Sequence, residues 1–185
     1  MPLLNTIATP YAEALLQIGS QQGTSDDLAA DAKAVLEIWT ASGVLRDALG
    51  SPVLEPETKK AVITALFQEK DVLRQTASLN LLKLLADRQR ISLMGVVFER
   101  FLELYRKAKG IALAQVTSAT PLTPDQEEQL KQKVQTMAGT AAVDCSITVD
   151  PSLIGGLIVR IGSRVVDASL AGQVRRLGRS LAKAA

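Results

Sequence analysis

The chain has 185 residues, of which 47% are hydrophobic and 3% aromatic, and its formal charge at pH 7 is +2. It contains no histidine and a single cysteine, which excludes a histidine general base, a cluster of soft metal ligands and an internal disulfide. No apolar run approaches the roughly 18 residues of a membrane span, and the amino end lacks the features of a signal peptide. We therefore expect a soluble protein with one large or two small cores.

The charge is distributed unevenly along the chain. From Pro151 to the end, six basic side chains and one acidic side chain give +5, whereas the preceding 150 residues carry −3. A basic segment favours nucleic acid, an acidic membrane surface or an acidic protein partner, and charge alone does not choose among them.

Residues 1–109 show helical periodicity throughout, with breaks at Gly23, Gly43, 50–52 and 88–92. This pattern predicts six helices. Their short connections indicate that neighbouring helices are antiparallel in a bundle.

Several helix ends can be predicted. Pro10 is expected near the first turns of the first helix, where proline is tolerated. Thr24 and Asp27 fit a capping box that opens the second helix, and Ser92 fits the N-cap of the sixth. The fifth helix is expected to begin at Asp71.

The first helix carries an apolar stripe at spacings of three and four residues. Core packing is the favoured interpretation for Tyr11 in this stripe and for Trp39 in the second helix, ahead of stacking on a ligand. The stripe comprises Ile7, Tyr11, Ala14, Leu15 and Ile18.

After Gly110 the periodicity changes. Residues 111–119 read as a strand, Thr123 with Gln126 fits a capping box for the following helix, and residues 141–150 alternate as a half-buried strand. Cys145 points inward on that strand and is expected to be an inert core residue. The predicted fold class is α+β, with a six-helix bundle followed by a β-α-β-β-β-α domain over residues 110–185.

The stretch GGLIVRIGSRVVDASL, residues 155–170, lacks the glycine spacing of a phosphate-binding loop and instead predicts a β-hairpin. Gly162 and Ser163 form its two-residue turn. One face, including Val159 and Val166, is expected to be buried, and the other is expected to pair Arg160 with Asp167. The residues predicted to shape the hairpin are Gly155, Gly156, Arg160, Gly162 and Asp167.

No residue pattern indicates a catalytic, cofactor or metal site, which suggests an adaptor that grips two partners. A nucleic-acid-binding adaptor using the basic carboxyl-terminal helix is the main alternative, although no aromatic side chain lies among its arginines. An enzyme that uses carboxylates is a third possibility, and it predicts a deep acidic pocket.

Four segments resemble one known family along nearly the whole chain: IATPYAEALLQIG, NLLKLLADRQRISLMGVVFERFLELY, IALAQVTSATPLT and LIGGLIVRIGSRVVDASLAGQVRRL. They look like the delta subunit of F-type ATP synthases, the family of the mitochondrial oligomycin-sensitivity-conferring protein. Within this family they most resemble the cyanobacterial branch.

The resemblance implies a non-catalytic stator subunit without cofactor or nucleic acid. It would lie peripheral to a plasma or thylakoid membrane, on the cytoplasmic or stromal face, and contact the membrane only through the complex. Residues 1–109 would bind amino-terminal segments of alpha subunits in a groove between the first and fifth helices, and residues 110–185 would join the b subunits of the peripheral stalk. The implied groove residues are Ile7, Tyr11, Ala14, Ile18, Asn80, Lys83 and Leu84, and the implied stalk residues are Arg175, Arg176 and Arg179.

Overall fold

The computed structural model describes residues 2–68, 72–140 and 142–176. The chain divides into two compact units, Met1–Tyr105 and Arg106–Ala185. The division falls four residues before the expected boundary after residue 109. Phe101 and Leu102 are still part of the helical core, whereas Arg106 pairs with Asp144 of the second unit at 3.1 Å.

The first unit is helical, as predicted. Its helices are α1 (Pro2–Gln22), α2 (Ser25–Ala41), α3 (Gly43–Gly50), α4 (Pro56–Ile63), α5 (Thr76–Asp87) and α6 (Met94–Lys109, which ends in the second unit). A π-helical turn, Thr64–Gln68, follows α4, and a 3-10 turn, Ile91–Leu93, precedes α6.

Three predicted helix ends are wrong. Helix α1 starts at Pro2, so Pro10 lies in its interior and removes one backbone donor there. Helix α5 starts at Thr76, well after the expected Asp71, which lies outside the described residues. Ser92 lies within the 3-10 turn, and α6 begins only at Met94.

The capping box predicted at Thr24 does not form. The Thr24 backbone adopts φ −106° and ψ 17° instead of the extended conformation that would aim its hydroxyl at the first amides of α2. Its Oγ1 is buried without a hydrogen-bond partner. Asp27 instead accepts a hydrogen bond from the Gln75 side chain at 3.2 Å.

The bundle core is built around three fully buried phenylalanines, Phe67, Phe98 and Phe101. Helix α1 contributes Ala8, Ala12 and Leu15 to this core, and small alanines let a helix approach its neighbours closely. Of the apolar stripe predicted on α1, only Leu15 is buried, while Ile7, Ala14 and Ile18 are exposed and Tyr11 is half-buried. Trp39 packs against the core, as predicted.

The second unit is a four-stranded sheet with helices. It contains β1 (Ile111–Ser118), α7 (Pro124–Ala138), β2 (Ala142–Val149), β3 (Leu157–Ile161), β4 (Arg164–Asp167) and a helical segment at 170–176. The strand order is β2-β1-β3-β4. Strands β1 and β2 are parallel, as expected when α7 connects them, and the other two pairings are antiparallel. The α+β fold class is thus confirmed.

Of two local predictions in this unit, the capping box is confirmed, and the core position of Cys145 is only partly confirmed because its side chain is half-buried. The capping box of α7 is complete, because Thr123 accepts from the Gln126 amide and the Gln126 side chain accepts from the Thr123 amide. Cys145 lies against the small core of Ala114, Val116 and their neighbours, and burial raises the pKa of its thiol. A raised pKa leaves less reactive thiolate at neutral pH.

The hairpin turn is also confirmed, because Ile161 pairs with Arg164 and Gly162 has φ 56°. The predicted buried face is only partly buried. Val159 on β3 is 2% exposed, but its neighbour Val166 on β4 is 43% exposed, because β4 is the edge strand of the sheet.

The predicted ion pair between Arg160 and Asp167 is absent from the described residues. The Asp167 carboxylate is turned instead toward Ser169, whose amide and hydroxyl donate to it at 2.9 and 2.6 Å. Hydrogen bonds to a residue two positions along the chain are more favourable than a diagonal ion pair in solvent, because an exposed ion pair contributes little to stability.

Among the helices that the structure describes, none combines the length and apolarity needed to cross a bilayer.

Candidate protein-binding groove

An open groove of about 700 Å³ lies between α1 and α5 in the helical unit. Its lining is mainly apolar, and none of the lining residues carries a formal charge. Helix α1 contributes the stretch from Pro10 to Gln22, and α5 and the residue before it contribute the opposite wall. The lining residues are Pro10, Tyr11, Ala14, Leu15, Ile18, Gln22, Gln75, Thr76, Ala77, Asn80, Leu81 and Leu84.

The groove exists because α1 and α5 each carry two apolar stripes. One stripe of α1 faces the bundle core through Ala8, Ala12 and Leu15. The neighbouring stripe leaves Ile18 37% exposed, and α5 leaves Leu84 42% exposed on the opposite wall. Exposed aliphatic side chains converging in one concave site are typical of a surface that binds a protein or ligand.

Five of the seven residues implied by the family resemblance lie in this groove, namely Tyr11, Ala14, Ile18, Asn80 and Leu84. Ile7 and Lys83 lie outside its lining.

Gln75 and Thr76 line the end of the groove near the start of α5 and are not among the residues predicted for it. Thr76 precedes Asn80 by four residues, so helical spacing from the predicted Asn80 and Leu84 would have identified it.

Polar side chains mark the two ends of the groove. At one end, Arg90 donates a hydrogen bond to the Tyr11 hydroxyl at 3.1 Å. At the other, the amide of Gln75 donates to Asp27 of α2. Both bonds fix the direction of a side chain that lines the groove.

A carboxylate behind the α5 wall also went unrecognised in the sequence. Asp31 of α2 is 1% exposed and accepts hydrogen bonds from the Arg74 amide at 2.8 Å, the Gln75 amide at 3.0 Å and the Ser78 hydroxyl at 2.7 Å. A signal was present, because Asp31 follows Leu28 by three residues and precedes Val35 by four, which places a charge on the buried stripe of α2.

In the second unit, the start of the last helical segment is fixed by the hairpin. Ser169 is fully buried, and its hydroxyl accepts from the Gly172 amide at 3.0 Å while it donates to Asp167. The Ser169 hydroxyl and amide lower the pKa of Asp167, with smaller contributions from Arg176 and Arg175. This arrangement leaves no room for a side chain at Gly172, whose Cβ would collide with the Asp167 carboxylate.

Arg175 and Arg176, two of the three implied stalk residues, are exposed on this segment. Arg176 also donates to the Asp167 carbonyl at 3.3 Å. Arg179 lies outside the described residues.

The residues that line the groove offer apolar contacts and uncharged hydrogen-bonding groups. In the part of the chain that the structure describes, no three histidine, cysteine or carboxylate side chains come together where they could hold a metal ion. The fold and the groove define the class: a two-unit α+β protein with an uncharged, mainly apolar groove between two helices, the kind of site in which amphipathic helices are bound in other proteins.

Comparison with known proteins narrows this class to one family. The family model of the ATP synthase delta (OSCP) subunit matches residues 7–181. The chain is 59% identical over 184 residues to ATP synthase subunit delta of Synechococcus sp. (strain RCC307), and the match covers all of both chains. It is 57% identical over 183 residues to ATP synthase subunit delta of the organellar chromatophore of Paulinella chromatophora, which covers 99% of each.

The chain belongs to the ATP synthase delta (OSCP) subunit family, and it is a non-catalytic subunit of that kind. A chain in the cryo-EM structure of the Toxoplasma gondii mitochondrial ATP synthase hexamer has a similar fold, with a TM-score of 0.69 and 20% identity. That likeness covers 94% of this chain and 96% of the other.

Proposed function

We propose that the chain is the stator link between the catalytic head and the peripheral stalk of a rotary ATP synthase. In this proposal the helical unit binds amino-terminal helices of alpha subunits in the α1–α5 groove, and the α+β unit joins b subunits of the stalk. The protein would then sit at the face of an energy-coupling membrane, held there by the complex, and resist the torque of the rotor.

The uncharged groove is the observation that carries this proposal. From Pro10 to Gln22 it follows α1 for about 18 Å, since an α-helix rises 1.5 Å per residue, and this length suits about three turns of a bound helix. Ile18 and Leu84 offer apolar contacts from opposite walls, as expected for a groove that receives the apolar face of an amphipathic helix.

The stalk contact is supported by charge. The segment from Pro151 onward carries +5, and Arg175 and Arg176 are exposed on it. A surface of this kind favours an acidic partner and speeds its association.

Replacing Ala14 by Leu tests the groove. Ala14 lines the groove and is exposed, so a larger side chain at this position should fill the groove without disturbing the core. We expect Ala14→Leu to weaken binding of an alpha-subunit amino-terminal peptide at least tenfold, about 1.4 kcal/mol, in a calorimetric titration.

The matched control is Ala30→Leu, which makes the same change at an exposed position of α2 that does not line the groove. The control should bind the peptide as the unchanged protein does. Equal affinity for the two variants would rule out this groove as the alpha-subunit site.

A further inference from the structure

We propose that Asp31, assisted by Asp27, is a positioning residue for the groove: α2, which contributes none of the lining residues, holds the α5 wall in the geometry that binds a helix. The inference rests on the proposed function, because it concerns the affinity of the same groove for alpha-subunit helices.

The hydrogen bonds of Asp31 converge on the entry to α5. One carboxylate oxygen accepts from the Arg74 amide, and the other accepts from the Gln75 amide and the Ser78 hydroxyl. The carboxylate and the Ser78 side chain are both almost wholly buried, at 1% and 0% exposure. Hydrogen bonds to a charged acceptor away from water are among the stronger ones in proteins.

Helix α5 depends on this carboxylate because it lacks a cap of its own. Its N-cap residue, Gln75, makes no side-chain cap hydrogen bond. The Arg74 and Gln75 amides that Asp31 holds lie immediately before the helix, and a negative charge near the amino terminus of a helix is favourable. Asp31, which belongs to α2, therefore holds the start of α5 in place, whereas the N-cap residue of α5 does not.

The fixed segment coincides with the groove wall. Gln75, Thr76 and Ala77 line the groove and lie between the outermost atoms that Asp31 holds, those of Arg74 and Ser78. A shift of this turn would move three lining residues together. A groove that is already formed binds with a smaller entropic penalty than one that must be ordered by its ligand.

Asp27 adds control of a side chain. It lies one turn before Asp31 on α2, accepts from the Gln75 side-chain amide at 3.2 Å and lies 3.7 Å from the Arg74 guanidinium. Asp31 therefore places the backbone of the wall, and Asp27 directs the polar side chain at its end.

The test compares variants of the full chain at a temperature well below their melting points. Asp31→Asn keeps the shape of the side chain but replaces one oxygen, which accepts hydrogen bonds, by an NH2 group, which cannot accept them. Ser78→Ala removes only one of the three donors to Asp31. Leu49→Ala is the control. Leu49 is 1% exposed and lies in α3, which contributes no residue to the groove, so its truncation should destabilise the bundle core without changing the groove wall.

Two readouts are taken: the affinity for an alpha-subunit amino-terminal peptide, and amide hydrogen exchange of residues 74–80 without peptide. We expect Asp31→Asn to weaken peptide binding at least tenfold and Ser78→Ala about threefold, with faster exchange in 74–80. Leu49→Ala should lower the melting temperature but leave the affinity unchanged, because it does not move the wall.

An affinity loss in Asp31→Asn no larger than that in Leu49→Ala, or unchanged exchange of residues 74–80, would overturn the positioning role. Failure of the unchanged protein to bind the peptide would instead overturn the proposed function. The exchange measurement would then still decide whether Asp31 holds this turn, since it needs no ligand.

Discussion

Gly156 and Gly162 show how one residue type serves two purposes within a short stretch. Both have positive φ, 78° and 56°, which L-residues with a Cβ rarely adopt. Around Gly162, in the hairpin turn, a Cβ would meet nothing within 4 Å. At Gly156 it would collide with the Ala168 carbonyl, so this position also requires the absence of a side chain.

This difference gives a prediction for the pair of alanine substitutions. Gly162→Ala should cost about 1 to 2 kcal/mol, the strain of a left-handed backbone. Gly156→Ala should cost at least about 1 kcal/mol more, because backbone must move to relieve the collision. Urea denaturation followed by NMR signals of the α+β unit would measure both, and similar costs at the two positions would contradict the packing at Gly156.

The starts of α2 and α7 show that a capping-box sequence does not always form a capping box. The two threonines at predicted N-caps, Thr24 and Thr123, are each followed three residues later by a side chain that suits a capping box. Only Thr123 has the extended backbone, φ −76° and ψ 158°, that closes the box. Thr24 instead follows Gly23, whose φ is 70°, at the tight link between α1 and α2.

We therefore expect valine, which has nearly the shape of threonine, to act differently at the two positions. Thr123→Val should destabilise the α+β unit by about 1 kcal/mol through loss of the cap. Thr24→Val should be neutral or stabilising for the helical unit, since it removes a buried hydroxyl that has no hydrogen-bond partner.

The fluorescence of Trp39, the only tryptophan, reports unfolding of the helical unit, and NMR signals report the other unit. A loss of about 1 kcal/mol in Thr24→Val would mean that its hydroxyl does cap α2 in solution.

At the scale of the whole molecule, the groove and the carboxyl-terminal segment differ in charge. The groove of the helical unit is lined by uncharged residues, whereas the end of the chain is basic. Apolar contact depends little on salt, but attraction between exposed charges is screened beyond about 10 Å at 0.1 M salt and about 3 Å at 1 M. The two proposed joints should therefore respond differently to ionic strength.

We predict that the affinity for soluble b-subunit fragments falls several-fold when the salt concentration rises from about 0.05 M to about 0.5 M. The screening length is longer than about 10 Å at the lower concentration and shorter than about 10 Å at the higher one. Affinity for alpha-subunit peptide should change little over that range. Replacing Arg175 and Arg176 by Gln should reduce the salt dependence of b binding, because exposed positive charges are removed.

The control is the double change of Lys131 and Lys133 to Gln, which removes two exposed charges from α7 of the same unit. If this control reduces the salt dependence as much as the arginine pair does, the interaction reflects net charge and not the proposed stalk surface. Binding of b fragments that ignores salt altogether would contradict an electrostatic joint.

The order of the main helices and strands, the hairpin turn at Gly162 and the cap at Thr123 could all be predicted from the amino-acid sequence. These features depend on residues only a few positions apart, so periodicity and turn chemistry suffice to predict them. The exclusion of histidine and disulfide chemistry also needs nothing beyond composition.

Which stripe of α1 faces the core could not be predicted, and this choice leaves Ala14 and Ile18 to line the groove. The contacts of Asp31 with Arg74 and Ser78, which are 43 and 47 residues away along the chain, could not be predicted either. Both outcomes depend on which helices become neighbours when the chain packs, and burial is set by those distant neighbours and not by local spacing.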